Sequence, residues 1–287
     1  ETVFELGTNA FGEIAALADI CNPDAAIIIN IGPSHLEKLI DEDGVFREKT
    51  ALFNRPLEIR LFDGDDPRFS IYADKGKSVG FSDNSDFHIT DLECDDTFCH
   101  FKINGESYTI PYPVSFLAKN AAFAIAMGIL KDIPLTKIKE AIAKPVQLDL
   151  RLQVEKTENF IIIADCYNAN PISMQSAIEF WNKLEPKREH IAILGDMLEL
   201  GAQAPMYHNM IGTILAEKGF DRVITVGNLS KYYHPYDNSL PFEHFDSVDE
   251  LIKSDILKTL TPGAVILIKG SHSVHLEKVL PILRKGS

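Results

Sequence analysis

Alternation is the feature that most constrains this chain. Short, continuously apolar runs suited to buried strands are separated by stretches in which apolar residues recur at helical spacing, the pattern of a parallel α/β protein. In the first half, Ala25 to Ile31 reads as a buried strand and Val45 to Phe53 as a helix. In the second half, Phe160 to Ala164, His190 to Leu194, Arg222 to Val226 and Ala264 to Ile268 read as strands, with helical segments between them. The clearest helix sets Met174, Ala177, Ile178, Trp181 and Leu184 on one face behind Pro171, whose fixed φ suits a first helical turn. No Gly-x-Gly-x-x-Gly occurs, so this second unit is expected to be Rossmann-like without the dinucleotide fingerprint.

From Leu57 to Ile110 the character changes to short β-rich pieces broken by turns such as Asp63-Gly64 and Asn104-Gly105, which predicts an antiparallel excursion. Phe116 to Leu130 and Leu135 to Ala143 return to helix. Lys144-Pro145 and the polar stretch to Asp149 break that pattern and are expected to link two domains, residues 1–145 and 146–287. A chain of 287 residues, 45% of them hydrophobic, can fill two cores of ordinary size. The opening Val3-Phe4-Glu5-Leu6 already reads as a strand, as if the pattern began in its middle.

A formal net charge of -14 opposes nucleic-acid binding, which runs on Lys and Arg displacing counterions. No stretch reaches the roughly 18 uninterrupted apolar residues of a membrane span, and the first residues carry no basic, then apolar, leader. A cytoplasmic protein is expected. The four cysteines are too scattered for a disulfide scaffold, which predicts free thiols. Cys94, Cys99 and His100 lack the second ligand pair that zinc requires. The acidic run Asp63 to Asp66 and the tripeptide Gly76-Lys77-Ser78 read as solvated turns.

The string Asp165-Cys166-Tyr167-Asn168-Ala169-Asn170-Pro171 carries the most chemistry, because it follows an apolar strand and opens a helix, the place where α/β sheets bind ligands. Single Asn and Asp residues also cap helices and make turns for their own reasons. Three further strings accompany it in order: Glu5-Leu6-Gly7-Thr8-Asn9 with Gly12-Glu13-Ile14; Asn30-Ile31-Gly32 with His35-Leu36-Glu37; and Leu194 to Gly201 with His208 and, finally, Lys269-Gly270-Ser271. Together they resemble the Mur ligases, and within them the ligases that add D-alanyl-D-alanine to UDP-muramoyl-tripeptide.

The resemblance implies a central ATP-binding domain, mostly parallel with a β-rich excursion, followed by a Rossmann-like domain. It also implies amide-bond formation through an acyl phosphate, with ATP and Mg²⁺ as cofactors, UDP-MurNAc-tripeptide and D-Ala-D-Ala as substrates, and a monomer. By the same resemblance Glu5 and His35 are metal ligands, and Lys49 matches the lysine that the family carbamylates. Carbamylation needs a neutral amine and turns a cation into an oxygen ligand suited to a hard metal ion. Without the resemblance Lys49 would be an ordinary surface lysine. Nucleotide contacts carry over onto Asn120, Arg151, Asp165 and Asn168; an arginine's planar fork suits a phosphate or ribose. Asn9, Asp196, His208 and Lys269 are the substrate candidates, and Asp196 and His208 could equally be a cap and a core residue.

Departures accompany the likeness. Phe116 and Leu117 stand where the family has polar residues before Asn120, Leu150 where a glycine precedes the matched arginine, and His272 where an arginine follows Lys-Gly-Ser. The family's glycine-rich phosphate loop should lie upstream of Glu5. Gly76-Lys77-Ser78 does not replace it, since Ile71 stands where the earlier glycine should be. These residues are therefore expected to be an incomplete portion that alone neither hydrolyses ATP nor ligates. Two alternatives stand beside this expectation: a folylpolyglutamate synthase-like ligase, not expected to carry Tyr167 to Pro171, and a non-catalytic binding protein, opposed by the retained Glu5, His35 and Lys49.

Overall fold

The computed structural model describes residues 2–95, 97–146, 150–234 and 241–285, and the chain divides into two compact units, Glu1–Val146 and Gln147–Ser287. Part of the expected linker, residues 147–149, lies outside the described residues.

In the first unit, β1 (Ala25–Ile28), β2 (Ile59–Asp63), β3 (Lys77–Gly80), β4 (Phe87–Cys94), β5 (Cys99–Ile103) and β6 (Glu106–Ile110) lie side by side in chain order. The first four run parallel and the last three antiparallel, so the expected antiparallel excursion occupies only its second half. The two turns explain the difference. Asn104 and Gly105 both take positive φ, 49° and 88°, the geometry of a tight hairpin. Asp63 instead folds its carboxylate onto the Asp65 N–H at 2.9 Å and starts a crossover through a 3₁₀ turn, Pro67–Tyr72.

The tripeptide at Gly76 is not a solvated turn: Lys77 and Ser78 open β3, and Ser78 is buried. The apolar run at Ala25 stops pairing at Ile28, and Ile27 and Ile29 are exposed, because β1 ends the sheet among the described residues. No strand forms at residues 3–6, where Val3 and Phe4 are exposed and no ladder partner exists among the described residues.

Five helices complete this unit among the described residues: α1 (Glu13–Cys21), α2 (Leu36–Leu39), α3 (Glu42–Thr50), α4 (Ser115–Leu130) and α5 (Leu135–Ile142). In α4 the small residues Ala118, Ala122 and Ala126 let the backbone lie close to the sheet, while Phe123 and Ile125 fill the space against Val79, Ile89 and Phe101. Each such buried Phe or Ile contributes roughly 1.5 to 3 kcal/mol. Cys94 and Cys99 are opposite each other in the β4–β5 register and form a disulfide, which corrects the free-thiol expectation for this pair. Pairing across a hairpin is invisible to a search for Cys-x-x-Cys. Cys21 and Cys166 are free.

The second unit is a sheet ordered β11-β10-β9-β12-β8-β7, from β7 (Gln153–Lys156), β8 (Ile161–Asp165), β9 (His190–Gly195), β10 (Arg222–Val226), β11 (Phe242–Phe245) and β12 (Val265–Lys269). All neighbours are parallel except β7 and β8. The two strands the sequence did not reveal, β7 and β11, are the sheet's half-exposed edges and so lack a continuous apolar run. Alternate residues such as Ile162, Ile193, Ile224 and Ile266 pack on one face with Leu251 of α8 (Val248–Lys253) and Leu283 of α9 (Leu280–Lys285). Also in this unit are α6 (Pro171–Lys183), with Met174, Ala177, Ile178 and Trp181 buried as the spacing predicts, and α7 (Ala204–Glu217). This is the doubly wound arrangement, whose ligand-binding end is where strands finish.

Candidate functional site

The first unit gathers chemistry around the N-terminus of α1 and the last turn of α3. Gly12 offers α1 no capping side chain. Glu48 of α3, only 3% exposed, supplies the acceptor instead: its carboxylate takes the N–H groups of Gly12 and Ile14, each at 2.7 Å. A negative group against a helix N-terminus satisfies orphan donors and meets the positive end of the dipole. Glu13 holds the preceding turn, accepting from the N–H groups of Asn9 at 2.6 Å and Ala10 at 3.0 Å, and these bonds lower its pKa. The buried Thr8 hydroxyl lies between the two carboxylates and has one proton to give to either. Sequence reasoning missed Glu48; the available signal was an acidic residue at helical spacing from the buried Val45.

Lys49 follows Glu48. Its ammonium is half-buried, donates to the Asn30 carbonyl at 3.4 Å, and has a pKa lowered by burial. His35 stands at the N-cap of α2 in the left-handed region, φ 56°, and is also half-buried, whereas Glu5 and Asn9 are exposed. Among the described residues no group of three His, Cys, Asp or Glu side chains is arranged to hold a metal ion.

The acidic run at Asp63 is not a solvated turn. Lys119 of α4 donates to Asp63 at 2.5 Å and Asp65 at 2.7 Å, Asp66 pairs with Arg68 at 2.7 Å, and burial raises the pKa of Asp63. Asp63, Asp65, Asp66, Pro67 and Arg68 line a groove of about 480 Å³ together with Ile31. Asn120, beside Lys119 on α4, is exposed.

In the second unit the string after β8 divides by task. Asn170 caps α6 through the Ser173 N–H at 2.8 Å in a capping box, Pro171 fills the first turn, and Cys166 and Ala169 are buried. Burial pushes the Cys166 thiol up to about 12, so it is inert. Tyr167 and Asn168 are left exposed. The Arg151 guanidinium lies 4.3 Å over the Tyr167 ring, and His272 stacks on that ring at 5.9 Å. Asp165 faces Lys269 at 2.7 Å.

Asp196 and His208, the candidates for the amine substrate's side, are both engaged by the fold. Asp196 is buried and accepts the N–H groups of Leu229 at 3.0 Å and Ser230 at 2.7 Å, capping the 3₁₀ turn Ser230–Tyr233. His208 is fully buried; its Nδ1–H donates to the Ala204 carbonyl at 2.7 Å and its Nε2 accepts from the Met197 N–H at 2.9 Å. That geometry requires neutral imidazole, and burial lowers the pKa accordingly.

The first unit thus holds a carboxylate-tied turn beside Lys49, and the second gathers Arg151, Asp165, Tyr167 and Lys269 where its central strands end. The Mur ligase middle domain matches residues 1–128, and the Mur ligase glutamate ligase domain matches residues 150–272; the chain belongs to the Mur ligase family. Within that family it is 32% identical over 289 residues to UDP-N-acetylmuramoyl-tripeptide--D-alanyl-D-alanine ligase of Bacillus subtilis (strain 168), covering 97% of this chain and 63% of that protein. The chain thus spans about two thirds or less of the length of the relatives it matches. The fold is that of MurF from Acinetobacter baumannii, with a TM-score of 0.86 at 24% identity, covering 99% of this chain and 64% of that one. MurF from Thermotoga maritima in complex with ADP superposes with a TM-score of 0.84 at 21% identity, covering 98% and 66%. A folylpolyglutamate synthase/dihydrofolate synthase from Yersinia pestis is more distant, with a TM-score of 0.64 at 17% identity, covering 90% and 61%. No helix among the described residues is long and apolar enough to cross a membrane.

Proposed function

We propose that these residues form the middle and C-terminal portion of a monomeric, cytoplasmic, ATP-dependent ligase that adds D-Ala-D-Ala to UDP-MurNAc-tripeptide. The observation that carries the proposal is similarity to a ligase of that name across 97% of the chain, with the Tyr167 to Pro171 string in place at a strand end. When bound, ATP would supply the phosphoryl group that activates the tripeptide carboxylate, with Mg²⁺ balancing the phosphate charge.

Glu5 and His35 are the proposed metal ligands. Lys49 fits a hard cation only as a carbamate, since an ammonium would repel it and no cluster of three acidic or imidazole ligands exists among the described residues. Its burial favours the neutral amine that carbamylation requires. Glu48 anchors the turn that carries Asn9, a proposed substrate contact, to the helix that carries Lys49. Asn120, Arg151, Asp165 and Asn168 are the proposed nucleotide contacts.

The test is Lys49→Arg in the full-length protein, which keeps the charge but cannot form the carbamate. Turnover with UDP-MurNAc-tripeptide and D-Ala-D-Ala should fall by about a hundredfold or more, followed by phosphate release and product mass. Wild-type turnover in that variant would remove Lys49 from the mechanism. A wild-type protein that instead joins glutamate to a folate would establish the synthase alternative, and one that binds nucleotide without turnover the non-catalytic one.

A further inference from the structure

Lys269 is the last residue of β12 and is 1% exposed. A buried ammonium is tolerated only when it is paired and hydrogen-bonded. Its Nζ donates to Asp165 Oδ2 at 2.7 Å and to the Asn168 carbonyl at 3.0 Å. Lys269 and Asp165 are direct partners in the β12–β8 register, so the pair closes where both strands end. Gly270 keeps that end tight: a Cβ there would come within 2.8 Å of the Gly195 Cα.

The network continues into the chain around Arg151. The second carboxylate oxygen of Asp165 accepts the Leu152 N–H at 3.2 Å, and the Tyr167 N–H donates to the Leu150 carbonyl at 3.2 Å. Leu150 and Leu152 both have positive φ, 58° and 45°, a conformation that L residues keep only where the surroundings over-determine it. Arg151 is thus held by both chain neighbours, and its guanidinium rests on the Tyr167 ring.

We propose that Lys269 is a positioning residue which, through Asp165 and the turn after β8, fixes the backbone on both sides of Arg151. The proposal rests on Arg151 being a nucleotide contact. Lys269, a substrate candidate by resemblance, is itself enclosed by the fold. Fixing the arginine in advance lowers the ordering cost of binding, since a free arginine side chain loses much rotamer freedom when it docks.

Lys269→Met in the full-length protein tests this by two measurements. Hydrogen exchange at the Leu152 and Tyr167 amides should accelerate by about tenfold or more, while the Ile193 and Ile224 amides keep their protection. The KM for ATP should rise by about tenfold with the KM for the amine substrate unchanged, whereas a merely structural role would move both. If Met at 269 leaves Asp165 unpaired so that the variant does not fold, Lys269→Gln, whose amide can still donate to that carboxylate but carries no charge, is read by the same two measurements. Unchanged protection at both amides overturns the proposal. Loosened amides with an unchanged KM for ATP overturn its functional half, and leave standing the ligase assignment, which wild-type turnover tests.

Discussion

At the scale of the residue, strain marks the proposed site. Ile40 has φ 74° and ψ -59°, and the Asp41 N–H closes a turn of three residues onto the Leu39 carbonyl at 2.9 Å. This positive-φ γ-turn is rare, and a β-branched residue is among the least suited to it. Ile40 is also 67% exposed, so little packing compensates. It joins α2, capped by His35, to α3, which carries Lys49, and strain of this kind gathers at functional sites. Ile40→Gly should stabilise the first unit by about 1 kcal/mol, relieved strain outweighing the added freedom of the unfolded chain. The urea midpoint should rise at constant slope; a lower midpoint would mean that the exposed side chain contributes more than its strain costs.

At the scale of the element, the turn from β9 into α7 depends on one neutral ring. His208 accepts from the Met197 N–H, and protonation would remove that acceptor inside a buried site. Its folded pKa lies below the ordinary value of 6.5, so the unfolded chain takes up the proton first as pH falls. The stabilisation is therefore complete above about pH 6.5 and declines below it. His208→Phe should lower stability at pH 7.5 by about 1 to 3 kcal/mol, because the Met197 N–H is left unsatisfied, and should flatten the acid dependence. Denaturant titrations of both proteins at pH 7.5 and pH 5 check this, and parallel losses in the two would assign the acid sensitivity to other groups.

At the scale of the whole molecule, each unit has its own core and its own polar network, centred on Glu48 in one and on Asp165 and Lys269 in the other. Neither contains the glycine-rich loop and lysine that cradle nucleotide phosphates. Residues 1–287 expressed by themselves should release no phosphate from ATP above background, because phosphoryl transfer depends on positioning and charge stabilisation that this loop provides. Incubation with ATP, Mg²⁺ and both substrates checks it; turnover at rates of order 1 per second would show that the phosphates are held by other residues.

The sequence by itself determined what is local or periodic. The apolar runs at Ile161, His190, Arg222 and Val265 read as strands and are central ones, the spacing from Met174 to Trp181 reads as one buried helix face and is one, and Asn104-Gly105 reads as a hairpin turn and forms one. Tertiary structure alone decided everything that depends on distant partners. The edge strands β7 and β11 are strands because a neighbour supplies their ladder, not because their own pattern demands it. Asp63 became a buried partner of Lys119, 56 residues away, and Cys94 met Cys99 across a register no spacing rule encodes. Lys269, in the string Lys-Gly-Ser, shows in sequence no sign of its partner. It is buried against Asp165, 104 residues earlier, because adjacent parallel strands end side by side and a charge enclosed there must be paired.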